Sequence, residues 1–218
     1  MSSDSLRRCM AAGLSAAIVG ASLAGCGGGL KSNKPAEQIY VLKPAVAAAA
    51  TASVATAMLV VARPTVQPGL DTSNIALTRA GNRLDYFAGS RWGASLSQVV
   101  GALAVESLFA SGKFASVTDD THGASGAGFE LVLTVRHFEA QYAADDEAPM
   151  ARVDFECMLI ARPPRTTVGR CDSQASVPAS GNRMAAIVAA LETAAQRALG
   201  DVAQKAADLA ATRSPAPR

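Results

Sequence analysis

The junction Leu23-Ala24-Gly25-Cys26 limits what this chain can fold into more than any other stretch, because it decides which residues belong to the mature fold. Arg7 and Arg8 precede a small and apolar run from Cys9 to Ala24. A positive start, a short apolar middle and small residues at the end describe a secretory signal peptide. The run is shorter than the ~20 residues that a membrane-crossing helix needs. Residues 1–25 are therefore expected to be removed, and folding is expected from residue 26 onward in an oxidising compartment.

The small residues lead directly into a thiol, and Leu23, Ala24, Gly25 and Cys26 together match the lipobox of bacterial lipoproteins. The chemistry needs each part. Small residues let a signal peptidase reach the backbone, the Cys26 sulfur takes a diacylglyceryl group, and its new amine takes a further acyl chain. No other cofactor is expected. Two or three chains on one residue make a stable anchor, at ~0.8 kcal/mol per buried CH₂. Gly27 follows the cysteine where Asp does not, which by resemblance to lipoprotein sorting favours the periplasmic face of the outer membrane. Net charge is +2, and losing Arg7, Arg8 and Asp4 leaves the remainder nearly neutral. A nucleic-acid partner is not expected, since no basic surface is implied.

Residues 26–38, with their Gly-Gly-Gly and Lys-Ser-Asn-Lys-Pro, read as a flexible tether. The globular domain is expected over 39–212, with a frayed tail at 213–218. Half of the chain is hydrophobic and 17% is charged, which excludes a wholly disordered chain. Strands are predicted over 39–42, 58–62, 74–79, 83–88, 114–118, 129–142, 152–161 and 168–177, with a turn at 64–69 and loops at 45–57 and 119–128. A first helix opens at Ser95, carries Leu96, Val99, Leu103 and Phe109 or Ala110 near one face, and ends at Ser111-Gly112-Lys113. A second, long helix carries Met184, Ile187, Val188, Leu191, Leu199, Val202 and Leu209 as one apolar stripe. Strands followed by a helix occur twice. This predicts an α+β fold of two layers, a mixed or antiparallel sheet with two main helices on one face, with a βββα pseudo-repeat.

Few residues invite a chemical role. Trp92, the sole tryptophan, follows Tyr86 and Arg91 at a strand-to-helix junction. The trio reads either as packing or as an interface, since Trp, Tyr and Arg dominate interface energies. Four cysteines, at 9, 26, 157 and 171, match no zinc or redox spacing. Cys157 and Cys171 lie equally far from residue 164, inside a turn, so an antiparallel register sets them opposite each other. They read as a disulfide or as two buried thiols. His122 and Ser125, near Asp119 and Asp120, lack the Gly-x-Ser-x-Gly elbow of a hydrolase, because the last position is Ala127 and a strand follows. His137 continues the Leu131-Leu133-Val135 face as a structural histidine, and neither histidine has the neighbours a metal site needs. Asp145-Asp146-Glu147 reads as a solvated hairpin tip.

The lipobox, Ile39-Tyr40-Val41-Leu42, Ile75-Ala-Leu-Thr-Arg79, Leu84-Asp-Tyr-Phe-Ala-Gly-Ser-Arg-Trp92 and Gly112-Lys-Phe-Ala-Ser-Val117 together resemble the ABC-type transport auxiliary lipoproteins, from about Glu37 to Leu209. The resemblance implies a non-enzymatic subunit of an intermembrane lipid-transport system. Its partner would be an MCE-domain protein that bridges the periplasm and, through it, an inner-membrane ABC transporter or permease. It also implies a homo-oligomer at the outer membrane. The alternative is a structural or assembly lipoprotein of another outer-membrane complex.

Overall fold

A computed structural model describes residues 36–45, 57–80, 83–122, 128–144 and 147–213. All of them fall in one compact unit, Ala36–Arg218. The lipobox, Cys26, Ser125, Asp145 and Asp146 lie outside the described residues, as does most of the Ala-rich stretch at 45–57.

The described strands form one mixed, nine-stranded sheet. In chain order they are β1 (Gln38–Tyr40), β2 (Met58–Val61), β3 (Thr65–Val66), β4 (Asn74–Arg79), β5 (Arg83–Trp92), β6 (Ser116–Asp119), β7 (Gly128–Gln141), β8 (Met150–Arg162) and β9 (Thr166–Pro178). Helix α1 (Leu96–Ala110) follows β5, and α2 (Met184–Ala211) follows β9. Strands followed by a helix thus recur, five strands before α1 and four before α2.

The spine is the antiparallel meander β7-β8-β9, in register from Gly128↔Arg162 to Gln141↔Met150 and from Met150↔Pro178 to Ala161↔Thr166. The other edge of β7 is shared end to end by three short strands, all parallel to it. β2 pairs at Phe129–Leu131, β3 at Thr134–Val135 and β4 at Ala140–Gln141. β6 flanks β2, β5 flanks β4 and β1 flanks β5. Parallel neighbours need a crossover, and α1 supplies one between the first strands and β6–β7.

Alternation decides which face is covered. Leu131, Leu133 and Val135 on β7 and Val153, Phe155, Cys157 and Leu159 on β8 are buried under the helices. α2 meets them with Ile187, Leu191, Leu199 and Val202 and with a row of buried alanines, Ala190, Ala194, Ala195, Ala198 and Ala206. Small side chains let the helix lie close to the sheet. A Cβ on Gly169 would come within 2.5 Å of Leu209.

Four expectations need correction. The 64–69 stretch contains β3, because its backbone completes the edge of β7 between β2 and β4. β5 runs on to Trp92 through a bulge: Asn74 pairs with Arg91 and Ala76 with Tyr86, so the four residues 87–90 stand against Ile75 alone, and Gly89 takes φ 68°. Phe109 is 62% exposed, because the buried line of α1 runs Leu96, Val100, Leu103, Ala104 and Leu108. α1 is apolar on most sides, so periodicity alone could not choose between these lines. A second bulge lies between Val135 and His137 and turns His137 onto the helix-free face, away from Leu131, Leu133 and Val135.

The helix starts are also instructive. Ser95 stands at the N-cap of α1 but makes no capping bond. Asp71 does that instead, its Oδ1 accepting from the Ser97 N–H at 3.0 Å. At the other end Gly112 takes φ 66°, the left-handed conformation read from the sequence.

Candidate functional site

The described chain begins at an edge. β1 pairs on one side with β5 and is the last strand of its end of the sheet. Beyond it, residue 43 is pinned to α2: the Lys43 N–H donates to Glu192 Oε2 at 2.8 Å, and Gln196 Nε2 donates to the Lys43 carbonyl at 2.8 Å. Between these fixed points Ile39 and Val41 are 57% and 66% exposed beside Gly93. Among the described residues the corner therefore offers a short unpaired strand edge and two aliphatic side chains to whatever approaches.

The three interface candidates divide here. Trp92 points inward at 1% exposure and meets Phe138 edge-on, ring centroids 6.0 Å apart. Its partner in strand register is Tyr40 of β1, so it wedges the edge strand onto the core. Arg91 points the other way, its Nε 3.1 Å from Glu37. Tyr86 is 41% exposed and lies on the far side of the bulge, donating to the Gly69 carbonyl at 2.6 Å. The structure keeps Tyr86 and Arg91 at the surface and withdraws Trp92 into the core, because the bulge changes the facing of the residues after Phe87. Sequence reading missed Ile39 and Val41 as surface residues, and their β-branched pattern gave no signal against burial.

Cys157 and Cys171 are direct cross-strand partners with Cα atoms 4.9 Å apart, joined as a disulfide between β8 and β9. Asp119 and Asp120 serve local structure. Asp119 Oδ1 accepts from the Thr121 N–H and hydroxyl, and Asp120 Oδ2 accepts from the Arg63 N–H.

The helix-free face of β7–β9 is ionic. Arg136 donates to Glu156 at 2.7 Å, and that hydrogen bond holds the Glu156 carboxyl below the usual carboxylate range and raises the Arg136 guanidinium. Glu130, 8% exposed, is gripped by Arg165 at 2.9 Å and Arg162 at 3.4 Å. Near the sheet end, burial pushes the Tyr142 phenol above its ordinary value, opposed by Arg79 lying 5.3 Å from its ring centre. Among the described residues no helix is long and apolar enough to cross a membrane, and no group of three His, Cys, Asp or Glu side chains is placed to hold a metal ion.

With this geometry in place, the chain can be compared with known proteins. The model of a family described as ABC-type transport auxiliary lipoprotein component matches residues 40–203. No curated protein matches. Among solved structures, a DUF330 protein from Xanthomonas campestris is similar at 22% identity and TM-score 0.71, covering 80% of this chain and 97% of its own. An uncharacterized protein is similar at 15% identity and TM-score 0.58, covering 83% and 100%. A hypothetical protein from Chlamydia trachomatis is similar at 8% identity and TM-score 0.50, covering 73% and 100%. At these identities the structures share the fold.

Proposed function

Since the chain belongs to the ABC-type transport auxiliary lipoprotein component family, we propose that it is a non-enzymatic docking subunit of an intermembrane lipid-transport system, held by acyl chains on Cys26 at the periplasmic face of the outer membrane. The observation that carries this reading is the span of the family match, residues 40–203, which takes in α1, the first 20 of the 28 residues of α2 and every described strand apart from most of β1. Its partner is the periplasm-spanning MCE-domain component, which connects it to an inner-membrane ABC transporter or permease. The subunit works as a homo-oligomer. A domain tethered to one membrane surface has a raised effective concentration for a bridge arriving there. The edge of β1, unpaired among the described residues and carrying the exposed Ile39, with Val41 just beyond it, supports this corner as the docking face, since an edge strand is a template for pairing with another chain.

Two experiments test the proposal. A photo-crosslinking residue in place of Ile39 or Tyr86 should capture an MCE-domain protein in cells. Capture of a different outer-membrane complex would replace this reading with an assembly role, and capture of neither would end it. Fractionation of Cys26→Ala should show an unprocessed protein that no longer follows the outer membrane. Normal processing and attachment would remove the anchor from the account.

A further inference from the structure

The sheet has its longest open edge on β9. That strand pairs with β8 alone, so among the described residues its 13 residues, Thr166–Pro178, carry an unpaired outer side. The open edges of β1 and β6 are 3 and 4 residues long. Folds usually protect an edge by keeping the strand short, by placing proline or charge in it, or by covering it. β9 uses these devices sparingly. Its proline is its last residue, and it is regular from Gly169 to Pro178, with Val168 the extra residue against β8. Lys205 reaches over from α2, its Nζ donating to the Asp172 carbonyl at 2.7 Å, and a carbonyl keeps a second lone pair.

The middle of this edge is open from both faces. A cavity of about 440 Å³ on the helix-free side and one of about 370 Å³ beside the last turns of α2 both reach Arg170, Cys171 and Asp172. Arg170 and Asp172 are exposed on the helix-free side, where Met158 and Glu156 stand opposite them in the β8–β9 ladder. Glu156 is taken by Arg136. Among the described residues neither the Arg170 guanidinium nor the Asp172 carboxylate has a hydrogen bond or ion pair of its own. They act only at a distance, Arg170 on Glu156 and Asp172 on Lys205. A cation and an anion two residues apart on one strand face are complementary to the same strand run backwards.

We propose that β9 is an interface between two copies of this chain, paired antiparallel about a two-fold axis at Cys171. The proposal rests on the self-association in the docking reading and names its surface. Charge selects the register. Centred on Arg170 or on Asp172, the pairing sets like charges opposite each other, which is destabilising. Centred on Cys171, it sets Arg170 of each copy opposite Asp172 of the other and joins the two β7-β8-β9 meanders into one antiparallel sheet. Such a contact is isologous and closes on itself. Its axis stands perpendicular to the sheet, so both copies keep their helices on one side and Ala36 at one height, as two anchors in one membrane require. β1 lies at the other end of the path β9-β8-β7-β4-β5-β1, so the docking corner stays open.

The test uses the full-length protein in a maltoside detergent. Light scattering on size-exclusion fractions should find dimers or larger even-numbered assemblies that dissociate on dilution. Gln174→Cys, three residues from the axis and carrying a nitroxide, should give a distance between labels of roughly 20–25 Å by double electron–electron resonance, from about 3.4 Å per residue along both strands plus one strand spacing. Arg170→Asp or Asp172→Arg alone should weaken association about tenfold, since each sets like charges opposite twice across the axis. The exchange Arg170→Asp/Asp172→Arg should restore most of it, and thermal scans of each variant exclude unfolding as the cause. A monomer at every concentration overturns the proposal and removes self-association from the docking reading. An oligomer that lacks this distance, or that is indifferent to the single reversals, overturns β9 as the interface and leaves the docking reading standing.

Discussion

Trp92→Ala separates packing from recognition at the corner where the chain enters its fold. The indole is 1% exposed, lies edge-on to Phe138 with centroids 6.0 Å apart, and sits opposite Tyr40 in the β1–β5 register. Truncating a buried tryptophan costs about 3–5 kcal/mol through lost transfer energy and the cavity left behind. Against a domain stability of about 5–15 kcal/mol that is between a fifth and all of the total. For a domain of this size the melting temperature should fall by roughly 6–20 °C, at about 2–4 °C per kcal/mol. Trp92→Phe keeps an aromatic partner for Phe138 and should cost about 1–2 kcal/mol. The assay is thermal unfolding by far-UV circular dichroism in non-denaturing detergent. In the unmutated protein Trp92 is the single tryptophan, and iodide should barely quench its fluorescence. A Trp92→Ala protein that melts normally but no longer binds its partner would refute the core assignment, as would strong iodide quenching.

Other expected outcomes follow from local geometry. Asp71→Ala should destabilise by about 1 kcal/mol in the same melts, because Asp71 caps α1, whereas Ser95→Ala at the formal N-cap should cost clearly less. The Cys157–Cys171 link closes a sequence separation of 14, and removing it with a double alanine variant should cost about 3 kcal/mol. Mass spectrometry of the unreduced protein should find two hydrogens fewer than in the reduced form, and an unchanged mass would count against the bond. The raised Tyr142 phenol gives a pH dependence with a definite sign. The fold prefers the neutral form, so this contribution is complete below pH ~10, where an unfolded tyrosine titrates, and is lost as pH rises through the higher folded value. The 295 nm difference titration between the unmutated protein and Tyr142→Phe should therefore have its midpoint above pH ~10.

Legibility followed how local each signal was. The meander could be read because Leu131, Leu133 and Val135, then Val153, Phe155, Cys157 and Leu159, repeat with period two over strands long enough to outweigh any single residue. The same periodicity predicted that Cys157 faces Cys171, which the register shows. It failed where the backbone leaves the period for tertiary reasons. Thr65–Val66 is too short to carry a pattern and becomes a strand because β7 offers it an edge. Reading straight through Arg136 puts His137 inward, whereas the bulge turns it outward. Gly89 was a visible hint of the bulge in β5, since glycine in a strand marks a bend or an irregularity. The interface trio was legible as a chemical set and not as a surface, because the facing of Trp92 depends on how many residues that bulge inserts.

Two of the three departures from regular pairing fall where a residue with chemistry is re-aimed; the third lies between Leu159 and Ile160 in the β8–β9 ladder. In β5 the inserted residues turn Trp92 inward and leave Arg91 outside, which fixes the edge strand and exposes the corner beside it. In β7 one inserted residue places Arg136 and His137 on a single face and brings Arg152 opposite Glu139. A regular β7 would alternate them, with one side chain of the pair buried under α2. Bulges interrupt a ladder of hydrogen bonds and are kept where re-aiming a side chain matters. Consistency between local pattern and global fold is the general rule, and its breaches concentrate at functional positions. By that argument the β1–β5 corner is the place on this domain where an irregularity and exposed side chains coincide.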